Sequence, residues 1–195
     1  MKLRGLYAIT PEVGDVERST RLALEGGVAL LQYRQKNRDI GLARAVVRMG
    51  REFRVPVIIN DDVELALELD AGGAHLGRDD GDLGDARKRL GRKLLGASCY
   101  NDAALAQAAV RAGADYVAFG SVFPSPTKPA AVRAPLRLFT EGRNLGVPLA
   151  AIGGITLDNA RELVAAGADL LAVITDLFEA PDIRQRARDY GKLFA

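Results

Sequence analysis

Hydroxyls, a cation and prolines crowd one stretch of the chain, Gly120-Ser121-Val122-Phe123-Pro124-Ser125-Pro126-Thr127-Lys128-Pro129, directly after the apolar run Tyr116-Val117-Ala118-Phe119. Proline restricts the backbone before any ligand arrives, so Ser125, Thr127 and Lys128 lose little conformational entropy on closing around an oxyanion. The chemistry suggested is phosphate or diphosphate binding, set against a stiff surface loop whose hydroxyls make local turns. Gln32, Arg34 and Lys36 alternate at period two and would share a face of an extended chain. An amide and two cations would then grip a heterocycle and a diphosphate, although Arg34 and Lys36 also read as ordinary charges leaving a strand. Asp61 and Asp80 could together hold Mg²⁺, a hard cation satisfied by one or two carboxylates, phosphate oxygens and water. The competing role is helix capping, by Asp61 or Asp62 ahead of Val63-Glu64-Leu65 and by Asp80 or Asp82 ahead of the next helix.

Two further signals complete the set. Gly153-Gly154 followed by Ile155-Thr156-Leu157 reads as a close-approach loop opening a helix, and with Ile174-Thr175 it would seat a second phosphate on backbone amides, a reading set against a tight turn capped by Thr156. His75 is the only histidine. A lone imidazole at a strand end is expected in a hydrogen-bonded packing role, with lining of the pocket open to it and no catalytic role assigned. No nucleophile paired with a base is evident, so the chemistry points to electrostatics and the departure of diphosphate.

The elements that must position these residues are legible as apolar runs rich in Val, Ile, Leu and Ala: 6–9, 29–33, 56–59, 73–76, 94–98, 116–119, 147–152 and 170–174. Continuous rather than alternating hydrophobicity marks strands buried on both faces, as in a parallel sheet covered by helices. Helical patterns are predicted between them over 16–25, 40–53, 63–69, 83–90, 102–112, 136–145, 157–166 and 182–194. Glycines at Gly26-Gly27, Gly72-Gly73, Gly113 and Gly167 stand where helices should end. Eight strands alternating with eight helices predict an α/β fold, a (β/α)8 TIM barrel in a single domain over 1–195. An open doubly wound sheet is the alternative, but no Gly-x-Gly-x-x-Gly follows the first strand. In the barrel nearly every unusual residue falls on the C-terminal rim: Gln32 to Lys36, Asn60 to Asp62, His75 to Asp80, Ser98, the proline-rich loop, Gly153-Gly154 and Ile174-Thr175.

Composition narrows the function further. The chain has 195 residues, 48% of them hydrophobic, with 27 Lys and Arg against 25 Asp and Glu, a net charge of +2 and 6% aromatic residues without Trp. Charges of both signs are scattered, so neither a basic stripe nor a stacking platform for nucleic acid is expected. No apolar run approaches the ~20 residues of a membrane span. A single cysteine, Cys99, excludes an internal disulfide and suits a reducing, cytoplasmic setting.

Taken in order, the motifs resemble the thiamine-phosphate synthase (thiamine-phosphate pyrophosphorylase) family over essentially the whole chain. Gln32, Arg34 and Lys36 are similar to its Gln-x-Arg-x-Lys. Asn60, Asp61, His75, Gly77 and Asp80 are similar to its Asn-Asp and His-x-Gly-x-x-Asp, and Phe123 to Lys128 to its phosphate loop ending Thr-Lys. Gly153-Gly154-Ile155 and Ile174-Thr175 match its remaining elements. The resemblance implies condensation of 4-amino-2-methyl-5-hydroxymethylpyrimidine diphosphate with 4-methyl-5-(2-phosphoethyl)thiazole, with Mg²⁺ on Asp61 and Asp80. It implies catalytic roles for Arg34, Lys36, Ser98 and Lys128. Substrate contacts would come from these four and from Gln32, Asn60, His75, Ser125, Thr127, Gly154, Ile174 and Thr175. The expected partners are small molecules, and the expected assembly is a monomer or small homo-oligomer. Ser121, Ser125 and Thr175 stand where Pro, Thr and Ser are frequent, and Ser121 could loosen the loop. A thiazole tautomerase of the same fold would lack the metal carboxylates and the Thr-Lys loop; a non-catalytic regulator would have a broken metal pair or a missing cation. A phosphosugar isomerase or aldolase would need a base or a lysine inside the barrel.

Overall fold

Each apolar run becomes a strand because it is covered twice, by side chains filling the barrel inside and by a helix outside. A computed structural model describes residues 3–124 and 133–195. Among these, β1 (Gly5–Ile9), β2 (Leu30–Tyr33), β3 (Val57–Asn60), β4 (Gly73–Leu76), β5 (Leu94–Tyr100), β6 (Tyr116–Gly120), β7 (Leu149–Ile152) and β8 (Leu170–Val173) are all parallel and close into one barrel in sequence order. Closure is made by β1 against β8, from Gly5 opposite Leu170 to Ala8 opposite Val173. The register of β5 on β6 slips between Ser98 and Tyr100, an irregularity of the kind that re-aims a side chain at a barrel rim.

The helices are α1 (Val16–Gly26), α2 (Ile40–Phe53), α3 (Val63–Glu68), α4 (Leu83–Leu90), α5 (Ala103–Arg111), α6 (Arg137–Gly142), α7 (Leu157–Ala166), α8 (Thr175–Phe178) and α9 (Ile183–Lys192). The predicted 136–145 helix tightens after α6 into a 3-10 turn, Arg143–Leu145. Gly142 lies there against Leu149, and Gly146 reverses the chain at φ 74°. The four-residue α8 was not anticipated, being too short to show an apolar period.

Two apolar layers follow from the alternation of side chains along each strand. Leu6, Ala8, Leu31, Val57, Ile59 and Val117 face the helices. Tyr7, Ile9, Leu30, Ile58, Tyr116, Ala150 and Leu170 fill the barrel. Cys99 is buried, and burial pushes its thiol up to about 12. No described helix is long and apolar enough to cross a membrane.

Candidate active site

The two aspartate pairs at the rim divide the roles that sequence left open. Asp62 Oδ1 accepts from Leu65 N at 2.8 Å and caps α3, while Asp82 Oδ1 accepts from Asp85 N at 2.9 Å and caps α4. Asp61 and Asp80 are thereby released from capping. Asp61 holds a left-handed backbone, φ 60°, with its N–H bonded to His75 O at 2.9 Å. Aspartate tolerates this region better than most residues, and such backbone is characteristic of functional positions. Asp80 Oδ2 accepts from Gly77 N at 2.7 Å, which turns the β4 loop back toward Asp61. Tyr100, also left-handed at φ 54°, accepts on its hydroxyl oxygen from Arg78 N at 3.3 Å.

Asp61 and Asp80 face each other. Loss of water at the rim, and next the Asp80 carboxylate, push Asp61 up to about 6, against the opposing pull of Arg34 and a hydrogen bond from Asn60 Nδ2. Two crowded carboxylates that repel in the absence of a cation are a donor set suited to a hard divalent ion. Among the described residues no third carboxylate, histidine or cysteine joins them to form a larger cluster. That suits Mg²⁺, which keeps open positions for phosphate oxygens and water, better than a closed tetrahedral site.

Arg34 and Lys36 meet on the rim, but Gln32 does not join them. β2 ends at Tyr33, so the period-two argument stops there. Arg34 Nη1 lies 2.7 Å from Glu12 Oε1 and Lys36 Nζ 3.1 Å from Glu12 Oε2. Thr10 holds this arrangement by bonding both N and O of Arg34, at 3.0 and 3.2 Å. A cleft of about 310 Å³ is lined by Arg34, Lys36, Asn60 and Asp61 among others. Cations and carboxylate therefore share one wall of the mouth.

Gln32 points into the barrel, 3% exposed, and its Nε2 donates to Tyr7 Oη at 2.6 Å. His75 is buried, with Nδ1 3.0 Å from Tyr116 Oη and Nε2 2.9 Å from Ser98 Oγ. Burial holds its pKa down at about 4, so it is a neutral imidazole in a hydrogen-bonded position.

Gly153 and Gly154, at φ 103° and 64°, bring the β7 loop against the β6 loop. A Cβ on Gly154 would strike Pro124 O and Phe123, and Phe123 N bonds Gly153 O at 3.0 Å. Thr156 and Asn159 form a capping box at the start of α7. The described contacts of this loop are thus those of a tight turn and a cap. Ser121 Oγ donates to Phe123 O at 2.6 Å, so its hydroxyl ties the turn rather than loosening it. Ile174 and Thr175 stand at the start of α8, Thr175 exposed. Ser125, Thr127 and Lys128 lie outside the described residues.

Sequence reasoning missed Glu12, Tyr7, Tyr116 and Gly96. The tyrosines sit inside apolar runs, where size hid their hydroxyls; their strand parity with Gln32 and His75 was the available signal. Glu12 lies in a β1 loop without a motif.

The model for the family described as thiamine monophosphate synthase matches residues 6–177. The thiamine-phosphate synthase of Aromatoleum aromaticum is 58% identical, covering 99% of this chain and 97% of that protein. That of Methylobacillus flagellatus is 52% identical, covering 98% and 96%. The structure of a thiamine phosphate pyrophosphorylase from Pyrococcus furiosus superposes with a TM-score of 0.88 at 34% identity, over 99% of this chain and 96% of that one. With matches of this extent around a rim of paired carboxylates and cations, the chain belongs to the thiamine monophosphate synthase family.

Proposed function

We propose that this barrel mouth joins the aminopyrimidine diphosphate to the thiazole phosphate, giving thiamine phosphate and diphosphate through dissociative loss of diphosphate. The observation behind the reading is the Asp61 and Asp80 pair, freed from capping by Asp62 and Asp82 and set beside Arg34. Mg²⁺ held by Asp61 and Asp80 would supply positive charge to the diphosphate oxygens. Arg34 and Lys36 would bind the same oxygens and stabilise the charge that grows on them as the C–O bond breaks. Lys128, with Ser125 and Thr127, takes the parallel role by family resemblance. The pyrimidine methylene becomes electron-deficient, and the thiazole nitrogen supplies the electron pair that forms the new C–N bond. No proton need be removed by the protein.

Gln32 and Asn60 would orient the pyrimidine and its diphosphate, and Ser98 would hydrogen-bond the reacting groups above His75. Gly154, Ile174 and Thr175 would seat the thiazole phosphate. The single cysteine and mixed surface charge accord with a cytoplasmic enzyme of small molecules, one domain over 1–195, acting as a monomer or small homo-oligomer.

The test is a coupling assay with both substrates and Mg²⁺, following diphosphate release with and without the thiazole phosphate, with EDTA as control. Metal-dependent formation of thiamine phosphate is expected. Asp61→Ala and Lys128→Ala should each lower kcat by about 10² or more with the fold intact. Near-normal activity in either variant would overturn the diphosphate site, and no product with thiazole phosphate still bound would replace synthesis by a tautomerase-like or regulatory role.

A further inference from the structure

A line of polar side chains crosses the barrel below the rim. Gln32 Nε2 donates to Tyr7 Oη at 2.6 Å, Tyr7 and Tyr116 hydroxyls lie 2.7 Å apart, Tyr116 Oη is 3.0 Å from His75 Nδ1, and His75 Nε2 is 2.9 Å from Ser98 Oγ. The residues come from β2, β1, β6, β4 and β5 in turn, so the line runs across the barrel and along no strand. Gly96 makes room for it, because a Cβ there would strike the Tyr116 hydroxyl and His75 Nδ1. The proposed reaction uses the two ends of this line and gives the tyrosines between them nothing to do.

With Gln32 Nε2 turned toward Tyr7, counting hydrogens sets the direction of every other bond. Burial pushes both phenols well above their ordinary range, so each keeps its one hydrogen. Tyr7 already accepts from Gln32. Were it also to accept from Tyr116, its own hydrogen would be left without an acceptor in a fully buried place, which interiors avoid. Tyr7 therefore donates to Tyr116, and Tyr116 donates to His75 Nδ1. With Nδ1 accepting from Tyr116, the ring carries its hydrogen on Nε2 and gives it to Ser98 Oγ. Ser98 is left with its own hydrogen to offer the mouth. At the other end, with Nε2 turned inward, Gln32 has Oε1 left as an acceptor; no described residue donates to it. Thr20 Oγ1 is the sole sealed, unpartnered side-chain polar atom among the described residues, and Gln32 Oε1 is not of that kind.

We infer that Tyr7, Tyr116 and His75 are positioning residues that set the hydrogen-bond polarity of the pocket, presenting Gln32 as an acceptor and Ser98 as a donor. An acceptor matches the N–H of an exocyclic amino group on a pyrimidine, and a donor matches a phosphate oxygen. Turning the Gln32 amide over would reverse the whole line and present an N–H to the amino group and a lone pair to the phosphate. The choice of ligands rests on the proposed function; the tautomer does not.

Because His75 is the only histidine, ¹⁵N-histidine labelling of the full chain reports one imidazole, and nitrogen shifts with one-bond N–H couplings assign its tautomer. The Nε2–H form is expected in the wild type. The Nδ1–H form would overturn the inference even in a fully active enzyme, whereas an inactive wild type with the Nε2–H form would strike only the proposed reaction. In Tyr116→Phe the single tautomer should give way to exchange between both. Its kcat/KM for the pyrimidine diphosphate should fall about tenfold, as for loss of one oriented hydrogen bond, with KM for the thiazole phosphate unchanged. Unaltered kcat/KM in both Tyr116→Phe and Tyr7→Phe would reduce the line to packing.

Discussion

Glu12 places one carboxylate between Arg34 and Lys36, where the proposed reaction needs diphosphate oxygens. Lys36 first, then Arg34, hold its pKa below the ordinary carboxylate range, so it is charged at neutral pH. Removing that charge in Glu12→Gln should tighten inhibition by product diphosphate about threefold, the modest scale of exposed ion pairs, read from inhibition constants at fixed ionic strength. Weaker inhibition would mean that Glu12 supports the cations instead of competing for them. Asp61 carries the opposite burden. Its pKa, raised from 3.8 to about 6, means that the folded chain holds this proton more tightly than the unfolded one. Ionisation then opposes folding, and stability from this group declines as pH rises from about 4 to about 6. Asp61→Asn should accordingly be more stable than the parent at about pH 8 without divalent metal, and the advantage should vanish near pH 4. His75, lowered to about 4, acts in the reverse sense: the unfolded chain takes up its proton first, and stability falls as pH drops through about 6.5 toward 4. Urea unfolding of variant against parent at each pH isolates the Asp61 contribution. An advantage equal at both pH values would remove the carboxylate repulsion from the site.

Adjacent residues at helix starts separate structural from chemical roles. Asp62 caps α3 and Asp82 caps α4. Asp62→Ala and Asp82→Ala should each cost about 1 kcal/mol of stability while preserving metal-dependent turnover, whereas alanine at Asp61 or Asp80 should do the reverse. Paired denaturation and activity measurements check this, and a cap variant that loses turnover without losing stability would reassign the roles. The β7 loop makes a second case. Alanine at Gly154 would hold an L residue at φ 64° and drive its Cβ into the Pro124 carbonyl. The backbone alone should cost about 1–2 kcal/mol, and KM for the thiazole phosphate should rise if this loop seats it.

The barrel joins its two ends. β1 pairs with β8, and α9 packs on α1 so closely that a Cβ on Gly26 would strike Ala187 and the Arg184 carbonyl. Ala187 and Tyr190 of α9 are fully buried, and Tyr190 with Arg186 binds Asp176 at 2.7 and 2.8 Å, fastening α8. Deleting residues 183–195 uncovers this seam and should abolish the cooperative thermal transition seen by circular dichroism; a truncated chain melting with the parent would show that closure does not depend on α9.

Strand number, parallel direction, the order of rim loops and most helix bounds were legible because each depends on local apolar runs and on glycines that end helices. The candidate carboxylates and cations were legible as residue types at strand ends, since a parallel barrel gathers those ends at one mouth. Which aspartate of each pair caps a helix was not legible: Asp61 and Asp62 differ by one residue, and only the φ of Asp61 sends its carboxylate to Asp80. Gln32 parted from Arg34 and Lys36 because β2 ends between them. The line from Gln32 to Ser98 was wholly hidden, for its five members lie on five strands and meet only when the barrel closes. Local sequence determines the elements and the chemistry on offer; hydrogen-bond partners far apart in the chain are chosen by closure, which alone decides who faces whom across the interior.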